Sequence, residues 1–148
     1  MARNGFTIST EGEIALTAAT AKTVLQIVAP TNQMLDLQAF SVSFDGISGT
    51  AEPVLVEILR QTTAGTMSAV TPRKSRVGGP TVQATAQKTA TVEPTAGDIL
   101  RQYEVHPQTG FERAFNPGEI EMDGGTRLAI RCTAPAGVNC VASMDLEE

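Results

Sequence analysis

The chain has one histidine, His106, two cysteines, Cys132 and Cys140, and sixteen carboxylates. With a single histidine there is no His-based metal cluster, and any nucleophile working with an imidazole base would have to use His106. No Gly-x-Ser-x-Gly elbow is present, and Thr109 and Ser143 have no spacing to His106 that marks a pair. His106 therefore reads as a loop or hydrogen-bonded structural residue, with Tyr103 as a packing partner. The carboxylates are dispersed, without calcium-loop spacing. A glycosidase would need two of them to meet, and a sugar site also needs aromatic platforms, whereas the chain has no Trp and one Tyr. The cysteines lack further zinc ligands, which leaves a buried thiol pair or a cross-strand disulfide open, neither of them catalytic. No Gly-rich phosphate cradle opens a helix. The expectation is a protein that is not an enzyme and uses no metal and no cofactor.

Contact chemistry is better represented. Arg73, Lys74 and Arg76 form the one basic cluster, suited to a solvated loop or to an acidic protein surface. No aromatics are interleaved with it, and the net charge is −5, so nucleic acid is not the expected partner. Phe6 and Ile8 stand alone among Thr and Ser in residues 1–12. That stretch reads as an N-terminal arm, either loose or docked on a neighbouring subunit with Phe6 and Ile8 as anchors. Residues 13–148 then form the single domain.

Period-two patterning dominates the rest. In residues 126–146, Leu128, Ile130 and Cys132 alternate with Ala129, Arg131 and Thr133, and Cys140, Ala142 and Met144 alternate with Val141, Ser143 and Asp145. A turn at Pro135-Ala136-Gly137 pairs these as a hairpin, Cys132 facing Cys140. Residues 13–17 and 23–29 read as strands, and residues 35–44 as the longest one. There the apolar side switches from Leu35 and Leu37 to Phe40 and Val42, which predicts a bulge. Residues 53–60 read as a strand, with a helix over 54–61 as the alternative. Residues 61–88 read as a long surface loop. Strands follow at 89–93 and 99–105, and Asn116-Pro117-Gly118 is expected to close a hairpin between 113–115 and 119–122. Eight or nine strands with turns at this spacing predict an all-β antiparallel sandwich, jelly-roll-like, with long loops.

At 148 residues the chain is long enough to bury a core without staples. Its amino end has no signal-peptide core and no apolar run reaches membrane-helix length, so a protein made in the cytoplasm, with no membrane partner, is expected.

Four segments, Phe44-Asp45-Gly46, Ala51-Glu52-Pro53-Val54, residues 59–66 (Leu-Arg-Gln-Thr-Thr-Ala-Gly-Thr) and residues 105–110 (Val-His-Pro-Gln-Thr-Gly), resemble the head decoration, or cement, proteins of tailed bacteriophages. The resemblance runs from about Thr23 to the carboxyl end. It implies a β-sandwich on the outer surface of the virion capsid, a homo-oligomer expected as a trimer, bound to the major capsid protein and bracing neighbouring capsomers. The other expectations are a host-surface or carbohydrate-binding virion module and a tail or head-completion protein.

Overall fold

The computed structural model describes residues 3–148. Its strands, in chain order, are β1 (Gly5–Ser9), β2 (Ile14–Leu16), β3 (Ala21–Val28), β4 (Leu35–Phe44), β5 (Val54–Gln61), β6 (Thr66–Val70), β7 (Arg73–Lys74), β8 (Thr85–Val92), β9 (Ala96–Val105), β10 (Gly110–Ala114), β11 (Glu121–Met122), β12 (Arg127–Thr133) and β13 (Val138–Glu147). They make two antiparallel sheets. The first has the order β10-β4-β13-β1-β7, with β11 also on β4 and β2 also on β13; the second is β6-β8-β3-β12-β5-β9. The chain passes repeatedly from one sheet to the other, as in Greek-key and jelly-roll sandwiches. Leu25, Ile27, Leu128 and Ile130 of the second sheet and Phe6, Ile8, Phe40, Met144 and Leu146 of the first share one core.

The alternation in residues 126–146 is confirmed, but the hairpin is not. β12 pairs with β3 and β5, whereas β13 pairs with β4, β1 and β2. Leu128, Ile130 and Cys132 do point inward, and so do Cys140, Ala142 and Met144. They face each other across the sandwich and not along one sheet. The link of residues 134–137 steps between layers that lie about 10 Å apart, and the buried Ala134 anchors it by accepting a bond from the Ala19 amide at 2.7 Å.

The N-terminal stretch is likewise corrected; Met1 and Ala2 lie outside the described residues. β1 pairs with β13 on one side and β7 on the other. β2 continues along β13 past a two-residue bulge, since Ser9 and Ile14 face Ser143 and Cys140. Glu11, with φ of 51°, takes up the irregularity, and the buried Thr10 hydroxyl bonds Gly12 O at 2.8 Å. Residues 5–16 are thus part of the domain, and no boundary falls at residue 12.

The predicted bulge in β4 is present. Asp145 faces Ala39 and Leu146 faces Leu37, leaving Gln38 extra, and its carbonyl accepts from the Phe115 amide at 2.7 Å. Residues 54–61 are strand, which rejects the helical alternative. The expected loop over 61–88 is shorter, because β6 joins the edge of the second sheet, β7 the edge of the first, and β8 begins at Thr85. Asn116-Pro117-Gly118 makes a type II turn, with Gly118 at φ 79° and the Glu119 amide on Asn116 O at 2.9 Å. It closes no hairpin, since β10 and β11 lie one after the other along β4.

The second sheet curls. Beyond Lys88, at Thr89 (φ 55°), β8 leaves β3 and stays paired with β6 alone. Residues 93–95 then suffice to reach β9, although β3, β12 and β5 lie between β8 and β9 in the sheet. The β6–β8 tip therefore folds over the sheet's outer face, where Glu93 accepts from the Thr23 amide and hydroxyl at 2.8 and 2.7 Å. Beneath it Gln26 donates to Gln61, and Gln61 to Thr23, at 2.6 and 2.8 Å.

Candidate functional site

Three loops meet at the end of the sandwich where β4 finishes and β13 begins. Residues 45–53 follow β4, residues 106–109 precede β10, and residues 134–137 precede β13. The Gly46 amide donates to Pro107 O at 2.8 Å, and a Cβ at Gly46 would sit 2.7 Å from that oxygen, so only glycine permits the approach. Gln108 Nε2 donates to Ile47 O at 3.0 Å, tying the first loop to the second. Asn139, at the start of β13, donates from its amide and its Nδ2 to the two Asp45 carboxylate oxygens, at 2.8 and 2.7 Å. These bonds, the backbone one foremost, hold the Asp45 carboxyl below the ordinary carboxylate range and keep it charged.

Between these loops lies an apolar groove of about 360 Å³, with Ile47, Ala51, Val54, Pro107, Pro135 and Val138 in its walls and Glu52 among its lining residues. Ile47 is 94% exposed. The composition suits capture of an aliphatic side chain. His106 is a turn residue: its Nδ1 accepts from the Gln108 amide at 3.2 Å and its carbonyl from Thr109 Oγ1 at 3.0 Å. Tyr103 packs elsewhere, 4.6 Å from Phe111 and 5.5 Å from Phe40 between ring centroids. With Phe115 these rings fill the lateral opening between β10 and β9. Glu119 clamps it, accepting from Arg113 at 2.8 Å and Arg101 at 3.2 Å.

The residues nominated from sequence separate. Phe6 and Ile8 are each 1% exposed, buried in the chain's own core on β1 beside β13, so they are not anchors for a neighbour. Arg73, Lys74 and Arg76 are exposed on β7 and the loop after it. Arg73 pairs loosely with Glu11 at 3.5 Å, Lys74 Nζ donates to Gly79 O at 2.9 Å, and Arg76 has no ion-pair partner among the described residues. Beside Arg76 stands Val77, 94% exposed and followed by Gly78 and Gly79. This loop adjoins Gly5, which faces Glu147 at the far end of β13 from the groove.

Cys132 and Cys140 are free and buried, one in each sheet. Hydrogen bonding with Cys140, then burial, pushes the Cys132 thiol well above its ordinary value, which disfavours the thiolate. The groove escaped the sequence reading because it is assembled from distant loops; the signal available for Ile47 and Val77 was an isolated β-branched residue beside glycine or serine. No protein-family model, curated protein or solved structure matches the chain.

Proposed function

We propose that the chain is a bacteriophage head decoration protein, a homo-oligomer that binds the major capsid protein on the outer surface of the mature head and stabilises it by bridging neighbouring capsomers. The observation that carries this reading is where the resembling segments fall. Three of the four, Phe44-Asp45-Gly46, Ala51-Glu52-Pro53-Val54 and residues 105–110, come together at the groove end, joined by the bond from Gly46 to Pro107. A resemblance that gathers at one surface is what a contact protein requires. The exposed Arg73, Lys74 and Arg76 add a surface for an acidic protein partner.

Such a function needs no reaction. A protein that binds the expanded shell more tightly than its dissociated parts raises shell stability by mass action, about 2.7 kcal/mol per site at a free concentration of a hundred times Kd. Copies held together by their own contacts gain avidity when they reach the shell as one body. The test is co-sedimentation of the purified chain with expanded, undecorated heads, counting copies per particle. Saturation at hundreds of copies, with heads that resist disruption at higher temperature, is the expected result. Absence of binding to heads would overturn the reading.

A further inference from the structure

We propose that copies of this chain associate head to tail, with Val77 of one copy seated in the apolar groove of the next. The two surfaces lie at opposite ends of β13, whose ten residues span about 30 Å, so no copy can fill its own groove. Their shapes match in kind. Val77 stands clear of the surface, with Arg76 before it and Gly78 and Gly79, which add no bulk, after it. The groove is walled by Ile47, Val54, Pro107 and Pro135 and has room for an aliphatic side chain.

Their charges match as well. At the loop end Lys74 and Arg76 are the charged residues beside Val77 in the chain, while Arg3 is engaged with Asp36 and Glu147, and the Glu148 carboxylate with the Gln83 and Ala84 amides. At the groove end Glu52 is exposed beside Ile47, and Asp45 is held ionised by Asn139. Basic loop against acidic rim sets the orientation, and the aliphatic contact supplies the affinity. The contact is heterologous, so it propagates until the turn between copies closes a ring. It makes specific the self-association in the proposed function and rests on that part of it, while needing no capsid.

Sedimentation velocity from about 10 µM to 1 mM tests it, an interval chosen for millimolar-to-micromolar contacts. The expected result is an average mass that rises with concentration for the parent chain and stays at the monomer for Val77→Asp. Because Val77 is exposed, the variant keeps its fold, which circular dichroism checks. Arg76→Glu and Glu52→Lys each weaken association at least tenfold, and the double variant, with the pair swapped, recovers it. A parent chain that stays monomeric at 1 mM overturns the proposal. So does an oligomer that Val77→Asp leaves intact, or a swap that fails to recover, although self-association by another surface then survives. Co-sedimentation of the parent chain with heads separates the readings: a parent chain that stays monomeric in solution yet binds heads refutes the copy-to-copy contact and leaves the decoration function standing.

Discussion

Phe6→Ala is the substitution that most directly tests whether the N-terminal strand belongs to the fold or to a neighbour. Phe6 is 1% exposed and faces Leu146 on one side and Lys74 on the other. Truncating a buried phenylalanine to alanine costs about 3–5 kcal/mol, the lost transfer energy plus the cavity left behind. Against a typical total of about 5–15 kcal/mol this is a large fraction. For a chain of this size it corresponds to a fall in Tm of about 6–20 °C, and with a urea slope near 2 kcal/mol per molar it lowers the midpoint by about 1.5–2.5 M. The assay is urea unfolding by circular dichroism at two protein concentrations tenfold apart. An internal strand gives the same shift at both; an arm docked on a partner gives a shift that shrinks on dilution, as the parent itself dissociates. Thr7→Ala, whose hydroxyl bonds Asp145 at 2.6 Å on the exposed side, is the control and costs about 1 kcal/mol. A midpoint change below about 0.3 M for Phe6→Ala, or one that tracks concentration, would refute the packing argument.

Two further substitutions probe polar parts of the fold. Glu57 is buried on β5 and accepts from Arg131 at 3.0 Å and Gln102 at 3.2 Å. Glu57→Ala leaves the guanidinium unpaired and lowers stability by about 2–4 kcal/mol, whereas Glu57→Leu with Arg131→Met returns close to the parent, both read by thermal melts. Asp45 and Glu119 have carboxyls held below their ordinary range, chiefly by the Asn139 and Asn116 backbone amides. Groups depressed on folding stabilise fully above their unfolded values and lose that contribution as pH falls through the folded ones. Stability to urea, measured between pH 6 and pH 3, should therefore decline toward acid, and Asp45→Asn with Glu119→Gln should flatten the decline; an unchanged slope would exclude these two groups as its source.

Much of the sandwich was legible because inward and outward residues alternate. The same alternation cannot say which strands are neighbours. Cys132 and Cys140 face each other equally well in a hairpin and across two packed sheets, and only the pairing of β12 with β3 and β5 separates the cases. Residues 134–137 can serve either as a hairpin loop or as a step between layers. The N-terminal strand was hidden for a different reason. Phe6, Ile8, Ile14 and Leu16 keep one parity, but the inward position between them is Thr10, whose buried hydroxyl meets Gly12 O and the Ala142 amide. A polar residue satisfied locally breaks an apolar pattern without breaking the strand. β6 and β7 were lost to the loop reading because, of their residues, Val70 alone is fully buried.

The candidate surfaces were less legible, since the groove exists only when loops some sixty and ninety residues apart in sequence meet. What a sequence does carry is the cost of an aliphatic side chain held out in water. Burying one such residue contributes about 1.5–3 kcal/mol, so Val77 in the groove together with cover for Ile47 contributes about 3–6 kcal/mol. Exposed ion pairs at the rim add at most about 1 kcal/mol each. Association costs about 4 kcal/mol in lost translation and rotation, which leaves a single contact with about 4 kcal/mol at best, a millimolar affinity. An isolated pair of copies then forms only toward millimolar concentration, and the contact strengthens where a further contact is made within the same body, by ring closure or by binding of several copies to one surface. The same magnitudes that make the free chain a weak oligomer make it suited to assemble where a surface already gathers it.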